Sequence, residues 1–379
     1  MPDVDAVVVG GGIGGLSTAL ALTRAGRRVR VLEAADRFGE LGAGLQMAAN
    51  ATRILRSWGL LDEVVARGVV PRRLVMRDAV DGAELTHLDL VDAERRYGAP
   101  YIVIHRGDLH SILLEACRAA GVDLVTAAAV TDVEQGPGYA EAVSSRRRDR
   151  GRAVIAADGL RSGARRYFGD DHAIDSGYTA YRGVLPVSQL DTSGLTLDDV
   201  VVYVGPDRHL VQYPLRRGEI FNQVAVFRTS TTRGTPEELD EAFAGSCAQV
   251  LDAMAHLDRE RTWPVRERAP IRRWVDGRLA LTGDAAHAML QYFAQGACQA
   301  LEDAQCLADR VAAHPGDWDA ALREYEQERI PRATLVQTRV HDWGELWHCD
   351  GLFRVVRNVL LRDRDPRDYR FLDWLYAEP

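Results

Sequence analysis

Hydrophobic positions change their spacing along this chain in a way that marks out its elements. Val4–Val9 reads as an apolar strand, and Leu16, Ala19, Leu20 and Leu22 then recur at helical spacing up to Gly26. A second strand is predicted over Val29–Leu32. Asn50–Leu60 carries Ile54, Leu55 and Trp58 on one side, as an amphipathic helix does. Arg72–Arg77 and Glu84–Leu90 alternate as short strands around an Asp81-Gly82 turn. Tyr101–His105 is apolar again, and a helix is expected from Asp108, as N-cap, to Ala120. Val122–Ala128 and Ala153–Ala157 read as strands flanking a poorly patterned region. Its basic run, Ser144–Arg152, suits a solvated hairpin tip.

From His172 to Arg273 the character changes. Strands such as Val200–Val204, Leu210–Leu215 and Phe221–Phe227 dominate, with turns at Gly205-Pro206-Asp207 and Arg217-Gly218-Glu219. They predict an antiparallel sheet with one helical segment over Glu237–Leu257. Leu279–Leu281 then reads as the end of a buried strand that breaks at Gly283-Asp284. Ala297, Ala300, Leu301, Ala304 and Leu307 set a helix beginning near Gly296. Trp318–Arg332 reads as a charged helix. Beyond it Phe353, Val356, Leu360 and Leu361 could form a membrane-surface face, although packing on the protein itself is the more frequent arrangement.

Composition narrows the function classes. A net charge of −8 argues against a nucleic-acid partner, which needs a basic face. None of the 47 basic residues is lysine, which removes Schiff-base chemistry and leaves arginine as the strong donor for phosphate or carboxylate. The five cysteines are odd in number and lack C-x-x-C spacing, so a cytoplasmic location is expected. No signal peptide is expected, and no apolar run approaches the ~20 residues of a membrane span.

Three separated motifs carry candidate chemistry. Gly10, Gly12 and Gly15 stand at G-x-G-x-x-G spacing between strand and helix, and Glu33 ends the next strand. The first glycine makes the turn, the second admits a pyrophosphate, and the third lets helix and strand pack. Glu33 is then placed for a ribose hydroxyl. Asp158-Gly159 closes a strand at a tight turn. Gly283-Asp284 and the amides of Gln295, Gly296 and Ala297 give a second turn and a helix N-terminus suited to an anion or an electron-rich ring. Arg106, at a strand-to-helix junction, could pair with a phosphate or lie on the surface. A glycine-rich stretch over residues 37–44 fits neither strand nor helix. His209 and Tyr213, four apart on a strand, share one face. His287 sits among small residues, which suits a structural imidazole, with general base as its other role.

Together these motifs resemble the class A flavoprotein aromatic monooxygenases, the salicylate and hydroxybenzoate hydroxylases. Gly10-x-Gly12-x-x-Gly15 with Glu33 is similar to that family's FAD adenosine site. Asp158-Gly159 resembles its D-G motif for FAD and the nicotinamide cofactor, and Gly283-Asp284 its ribityl-binding G-D motif. Tyr325-Glu326-x-x-Arg329-x-x-Arg332 is similar too. The likeness spans nearly the whole chain. Tyr97–Tyr101 before His105-Arg106, the pair His209 and Tyr213, and Gln291, where many relatives carry proline, resemble the 3-hydroxybenzoate 6-monooxygenase branch.

The resemblance implies an α/β fold: a discontinuous FAD-binding Rossmann-like domain (1–71, 101–171, 276–335), an inserted antiparallel-sheet substrate domain (72–100, 172–275) and a C-terminal helical segment (336–379). It implies bound FAD, with NADH and O₂ as co-substrates, and a small aromatic acid as substrate. The reaction expected is para-hydroxylation of 3-hydroxybenzoate to 2,5-dihydroxybenzoate through a flavin hydroperoxide. A phenol, with a pKa of about 10, activates its ring far more as phenolate. His209 is the expected base, with Tyr213 and Gln291 positioning the hydroxyl or carboxylate. A homodimer is compatible with the family. The rivals are a salicylate 1-monooxygenase, a hydroxylase of a larger phenol, a flavin dehydrogenase or oxidase, and a non-catalytic flavin sensor.

Overall fold

The computed structural model describes residues 3–39, 42–169, 172–190 and 196–377. The chain forms two compact units, each assembled from three separated stretches. The first takes Met1–Leu41, Arg106–Ile174 and Glu267–Arg339, and the second takes Gly42–His105, Asp175–Arg266 and Val340–Pro379.

The first unit is built on five parallel strands in the order Leu279–Leu281, Arg148–Ala156, Val4–Val9, Val29–Leu32 and Asp123–Val125. Ala6, Val7, Val8, Val154, Ile155 and Leu279 are wholly buried, which is why these strands read as apolar runs without alternation. The Ile13–Arg24 helix is buried from Gly15 to Leu22 and packs along the Gly296–Ala313 helix. The expected poorly patterned region holds an antiparallel hairpin, Val130–Gly136 with Tyr139–Ser144, joined to the start of Arg148–Ala156. Only Ser145–Arg147 of the basic run is a tip. Arg148 pairs with Glu141 in the strand, and Arg147 and Arg30 pair with the buried Asp149.

A Cβ on Gly15 would lie 1.9 Å from the Gly10 carbonyl oxygen, backbone against backbone, so nothing can yield. Gly14 next door would meet only the Ala300 methyl at 3.6 Å, an ordinary contact. Gly15→Ala is therefore expected to be insoluble or to melt far below the parent, and Gly14→Ala to melt close to it. Thermal unfolding of the pair checks this.

The second unit has a seven-stranded sheet in the order Asp258–Glu267, Ile174–Pro186, Ile220–Arg228, Arg208–Leu215, Asp199–Gly205, Arg73–Asp78, Glu84–Asp89. The expected antiparallel pattern needs one correction, because Asp199–Gly205 runs parallel to Arg73–Asp78. A crossover through the other unit joins them, and a hairpin does not. Pro236–Phe243 and Ala248–Met254 cover one face, burying Leu239, Phe243, Val250 and Met254 against Tyr181, Tyr203, Leu210 and Phe227. They are two helices where one was expected. Thr235 starts the first with a capping box, and a break at residues 244–247 lets the Cys247 amide bond the Ala79 carbonyl. Gly44–Met47 is a strand paired with Ile102–His105, so only the last residue of the stretch 37–44 joins a strand, and the other described residues of it are irregular as expected. Glu40 and Leu41 of that stretch lie outside the described residues.

Two further expectations fail for tertiary reasons. The helix expected from Asp108 starts at Arg106, directly off the strand, which puts Asp108 in its first turn. The charged helix does not end at Arg332. It runs Trp318–His348 with Pro331 inside, where buried Ala333, Val336 and Val340 offset the missing backbone bond.

The Gly351–Arg362 helix is inverted. Its only buried residues are Arg357 and Asn358, while Leu352, Phe353, Val355, Val356, Val359 and Leu360 are between 46% and 78% exposed. The expected packing of this face on the chain does not occur. The cause is Asp78, fully buried, which accepts from Arg354 at 2.7 Å, Asn358 at 2.6 Å and Arg357 at 3.4 Å. Burial alone would raise the Asp78 carboxyl, yet Arg354 and Asn358 hold it at about 2.

Candidate active site

Four turns follow one another across the carboxyl edge of the parallel sheet. In strand order they are Gly283-Asp284, Asp158-Gly159, Gly10–Gly15 and Glu33. This is the edge at which open parallel sheets bind ligands. Gly10, at φ +106, presses its turn against the next one, since a Cβ there would lie 2.4 Å from the Ala157 carbonyl oxygen. Glu33 reaches back and accepts the Gly11 N–H at 2.7 Å and the Ala35 N–H at 2.8 Å. Gly12 is the N-cap of the Ile13–Arg24 helix and makes no side-chain capping bond, so the positive end of the helix dipole is presented at the turn.

Gly283 adopts φ +59 and ψ −143, a conformation essentially limited to glycine. A Cβ on Gly14 would lie 3.9 Å from the Gly283 Cα, and Ala300 packs against both. Asp284 opens a one-turn helix, and a Cβ on Gly296 would lie 3.8 Å from its Oδ1. Asp284 and the Gln295–Ala297 helix start thus meet beside the glycine turn. Gln291, itself exposed, opens a single turn between them in which Tyr292 is buried. Asp158 fixes its own loop by accepting the Gly163 N–H at 2.8 Å. Its Oδ1 is buried and has no protein partner among the described residues.

The support beneath was mostly invisible in the sequence. Asp303, on the Gly296–Ala313 helix, accepts the Gly283 N–H at 2.8 Å, His287 Nε2 at 2.6 Å and Arg329 Nε at 2.7 Å. His287 is fully buried and tilted against Trp274, and this bond to Asp303 makes it a brace for the turn. The Tyr325–Arg332 motif acquires a physical meaning here. Tyr325 donates to the Leu281 carbonyl, Glu326 accepts the Trp274 and Val275 amides, and Arg329 and Arg332 hold Glu302. Buried Arg165 donates to the carbonyls of Ala269, Ala285 and Ala286. Arg106 heads a helix whose His110, one turn on, bonds the Gly11 carbonyl at 2.8 Å. The Arg106–His110 spacing was the one available signal for this contact.

In the second unit His209 and Tyr213 do share a strand face, opposite Leu210, about 13 Å apart along the strand. His209 is buried, with Nδ1 2.8 Å from His348 Nε2, the rings stacked at 5.1 Å, and Trp347 edge-on. His348 in turn stacks on Tyr178. Burial, and secondarily the neighbouring imidazole, pushes His209 well below its ordinary value. His348 falls to about 4, again through burial, with the Arg228 and Arg357 charges adding to it and Asp207 opposing. Both rings are neutral at pH 7. Tyr213 presses on Gly44, where a Cβ would meet its ring at 2.4 Å, and burial raises its hydroxyl pKa. Gly44 N–H bonds Asn222, the strand partner of Tyr213, and Gln46 accepts from Tyr101 at 2.6 Å. His348 lies beyond the point where the sequence ended its helix, so it was missed.

The features of the first unit fit a flavin dinucleotide. A backbone cradle that side chains would fill, a helix start without a cap, and a buried carboxylate oxygen lacking a partner stand together at one edge. Comparison with known proteins agrees. A family profile described as "FAD binding domain" matches residues 3–340. A 3-hydroxybenzoate 6-hydroxylase from Polaromonas naphthalenivorans (strain CJ2) is 37% identical, over 99% of this chain and 96% of that protein. A 3-amino-4-hydroxybenzoate 2-monooxygenase from Streptomyces cremeus is also 37% identical, over 99% and 95%. Among solved structures, Klebsiella pneumoniae HpxO complexed with FAD and uric acid superposes with a TM-score of 0.87 at 26% identity, covering 98% of this chain and 95% of that one. No helix among the described residues is long and apolar enough to cross a membrane. A glycine cradle, the family profile and relatives matched along nearly their whole length lead to one assignment: the chain belongs to the FAD-binding-domain family and is a flavoprotein monooxygenase.

Proposed function

We propose that this chain hydroxylates 3-hydroxybenzoate to 2,5-dihydroxybenzoate, with NADH and O₂ as co-substrates, in the cytoplasm and as a homodimer. Reduced FAD would activate O₂, one atom of which enters the ring while the other leaves as water. The observation that carries the reading is a neutral imidazole, His209, buried on the same strand face as Tyr213. Taking up the phenolic proton requires an unprotonated base that substrate can reach, and His209 is already unprotonated at neutral pH. The contact of its Nδ1 with His348 Nε2 fixes the orientation of the ring. Tyr213 and Gln291 position the hydroxyl or the carboxylate.

We assign FAD to the carboxyl edge of the first unit. The Gly10–Gly15 turn takes the pyrophosphate, with Gly10 and Gly15 shaping the turn, Gly12 facing the phosphates and Arg106 as their countercharge, and Glu33 takes the ribose hydroxyls. Asp158, Gly159, Gly283 and Asp284 hold the chain between ring and phosphates. The amides of Gln295, Gly296 and Ala297 face the electron-rich end of the ring.

A second reading, hydroxylation of an amino-hydroxybenzoate, is favoured by the equal identity to the Streptomyces relative. Purified protein offered NADH with 3-hydroxybenzoate, 3-amino-4-hydroxybenzoate or salicylate in parallel discriminates them. Gentisate from the first is the expected product. Catechol from salicylate, or turnover of the amino acid alone, would overturn the assignment. NADPH in place of NADH is expected to support slower turnover.

A further inference from the structure

We propose that the apolar face of the Gly351–Arg362 helix is the surface on which a second copy of this chain docks. This names the contact for the homodimer proposed above and rests on that reading. Leu352, Val355, Val356 and Val359 stand at i, i+3, i+4 and i+7, with Phe353 and Leu360 beside them, so they form one continuous stripe. All six are between 46% and 78% exposed. The stripe cannot turn inward, because Arg354, Arg357 and Asn358 on the opposite side are locked to buried Asp78. Its burial has to come from outside the chain.

The size and the charge around it select a second copy. Side chains of this kind remove on the order of 60–120 Å² each when buried, so the stripe offers on the order of 500 Å². That exceeds what scattered surface residues present and approaches the ~800 Å² that each partner contributes to a stable interface. A 12-residue helix is ~18 Å long and can lie antiparallel on its own copy about a two-fold axis, stripe on stripe. A lipid surface would need cations at the rim. The arginines there are already engaged: Arg354 with Asp78, Arg362 with Asp81, Arg367 with Asp89 and Arg370 with Asp368. With a net charge of −8 the chain has no basic field to hold it on anionic headgroups.

The contact would reach the candidate base through one residue. Arg357, on the inward side, donates to the Leu346 and Trp347 carbonyls, in the last turn of the helix that ends with His348.

Sedimentation equilibrium of the flavin-loaded protein and of Leu352→Glu/Leu360→Glu tests the docking. The parent is expected to be a dimer, and the variant at least ~30-fold weaker in self-association with unchanged flavin content and melting temperature. Leu360→Arg alone, a smaller change at an exposed site, is expected to weaken it in the same direction. A variant that remains dimeric sinks this surface and leaves the homodimer reading intact. A monomeric parent sinks both. Flotation with vesicles of phosphatidylcholine, alone or with phosphatidylserine, is expected to leave the parent unbound. Vesicle binding that the double variant abolishes would give the stripe to lipid and overturn the proposal.

Discussion

Replacing His209 with Asn will lower the hydroxylation rate by about 10²–10⁴-fold, the usual worth of a positioned general base, while flavin content stays at the parent level. The Asn side chain fills a similar volume and keeps a donor toward His348, so stability changes little and the loss is chemical. Single-turnover product formation and the flavin spectrum measure the two quantities. An unchanged rate would remove His209 from the mechanism. The partner decides the form of the pH dependence. His348 Nε2 lies 2.8 Å from His209 Nδ1, so the protonation of one ring is tied to that of the other. His348→Phe is expected to lower the rate less than His209→Asn and to alter the acid limb of its pH profile. Stability should also respond to acid. Both folded pKa values are depressed, so the unfolded chain takes up protons near pH 6.5 that the folded chain refuses, at His348 until about pH 4. Stability therefore falls as pH drops through that window, and His348→Phe should flatten the fall. Groups facing His348 are Asp207, Arg228, Arg357 and Tyr178; the two arginines keep their charge across the window.

Arg329→Met is expected to cost about 3–5 kcal/mol of stability, the largest loss from any single change outside the glycine turn. Arg329 is the buried cation between Asp303 and Glu302, and without it Asp303 keeps His287 and the Gly283 amide, and Glu302 keeps Arg332, among the partners described. Denaturant unfolding measures the loss, and the double variant Arg329→Met/Asp303→Asn should recover part of it. Burial pushes the Asp303 carboxyl upward, but His287 and Arg329 hold it well below the usual carboxylate range. A depressed carboxylate contributes fully above its unfolded value of about 3.9 and loses that contribution as pH falls through the folded one. Between pH 5 and 8 the Arg329→Met deficit should be constant. A deficit that varies across that range would mean that another group carries it.

Most of the first unit was legible because its signals are local. The glycine turn, Glu33, the Leu279–Leu281 strand and the helix start at Gly296 each depend on neighbours within a few residues. The braces were not legible for the opposite reason. Asp303 is an unremarkable acid on a helix until the fold brings Gly283, His287 and Arg329 around it. His348 was hidden because the helix expected to end at Arg332 continues to His348, with buried residues beyond Pro331 holding it. The Gly351–Arg362 helix shows the limit of periodicity. Spacing identified the apolar stripe, but only the position of Asp78 decided which side turned inward.

The parallel pairing of Arg73–Asp78 with Asp199–Gly205 bears on synthesis of the chain. Arg73 and Asp199, 126 residues apart, form an ion pair at that junction. On the ribosome, the Arg73–Asp89 hairpin emerges long before the strand that completes its sheet. The Val4–Val9 strand likewise waits for Arg148–Ala156, and that strand for Leu279–Leu281. Long-range pairings are slow to form and leave edges exposed meanwhile. Each unit draws its final piece from the last third of the chain. Neither can close early, so each unit keeps unpaired sheet edges until translation is nearly over.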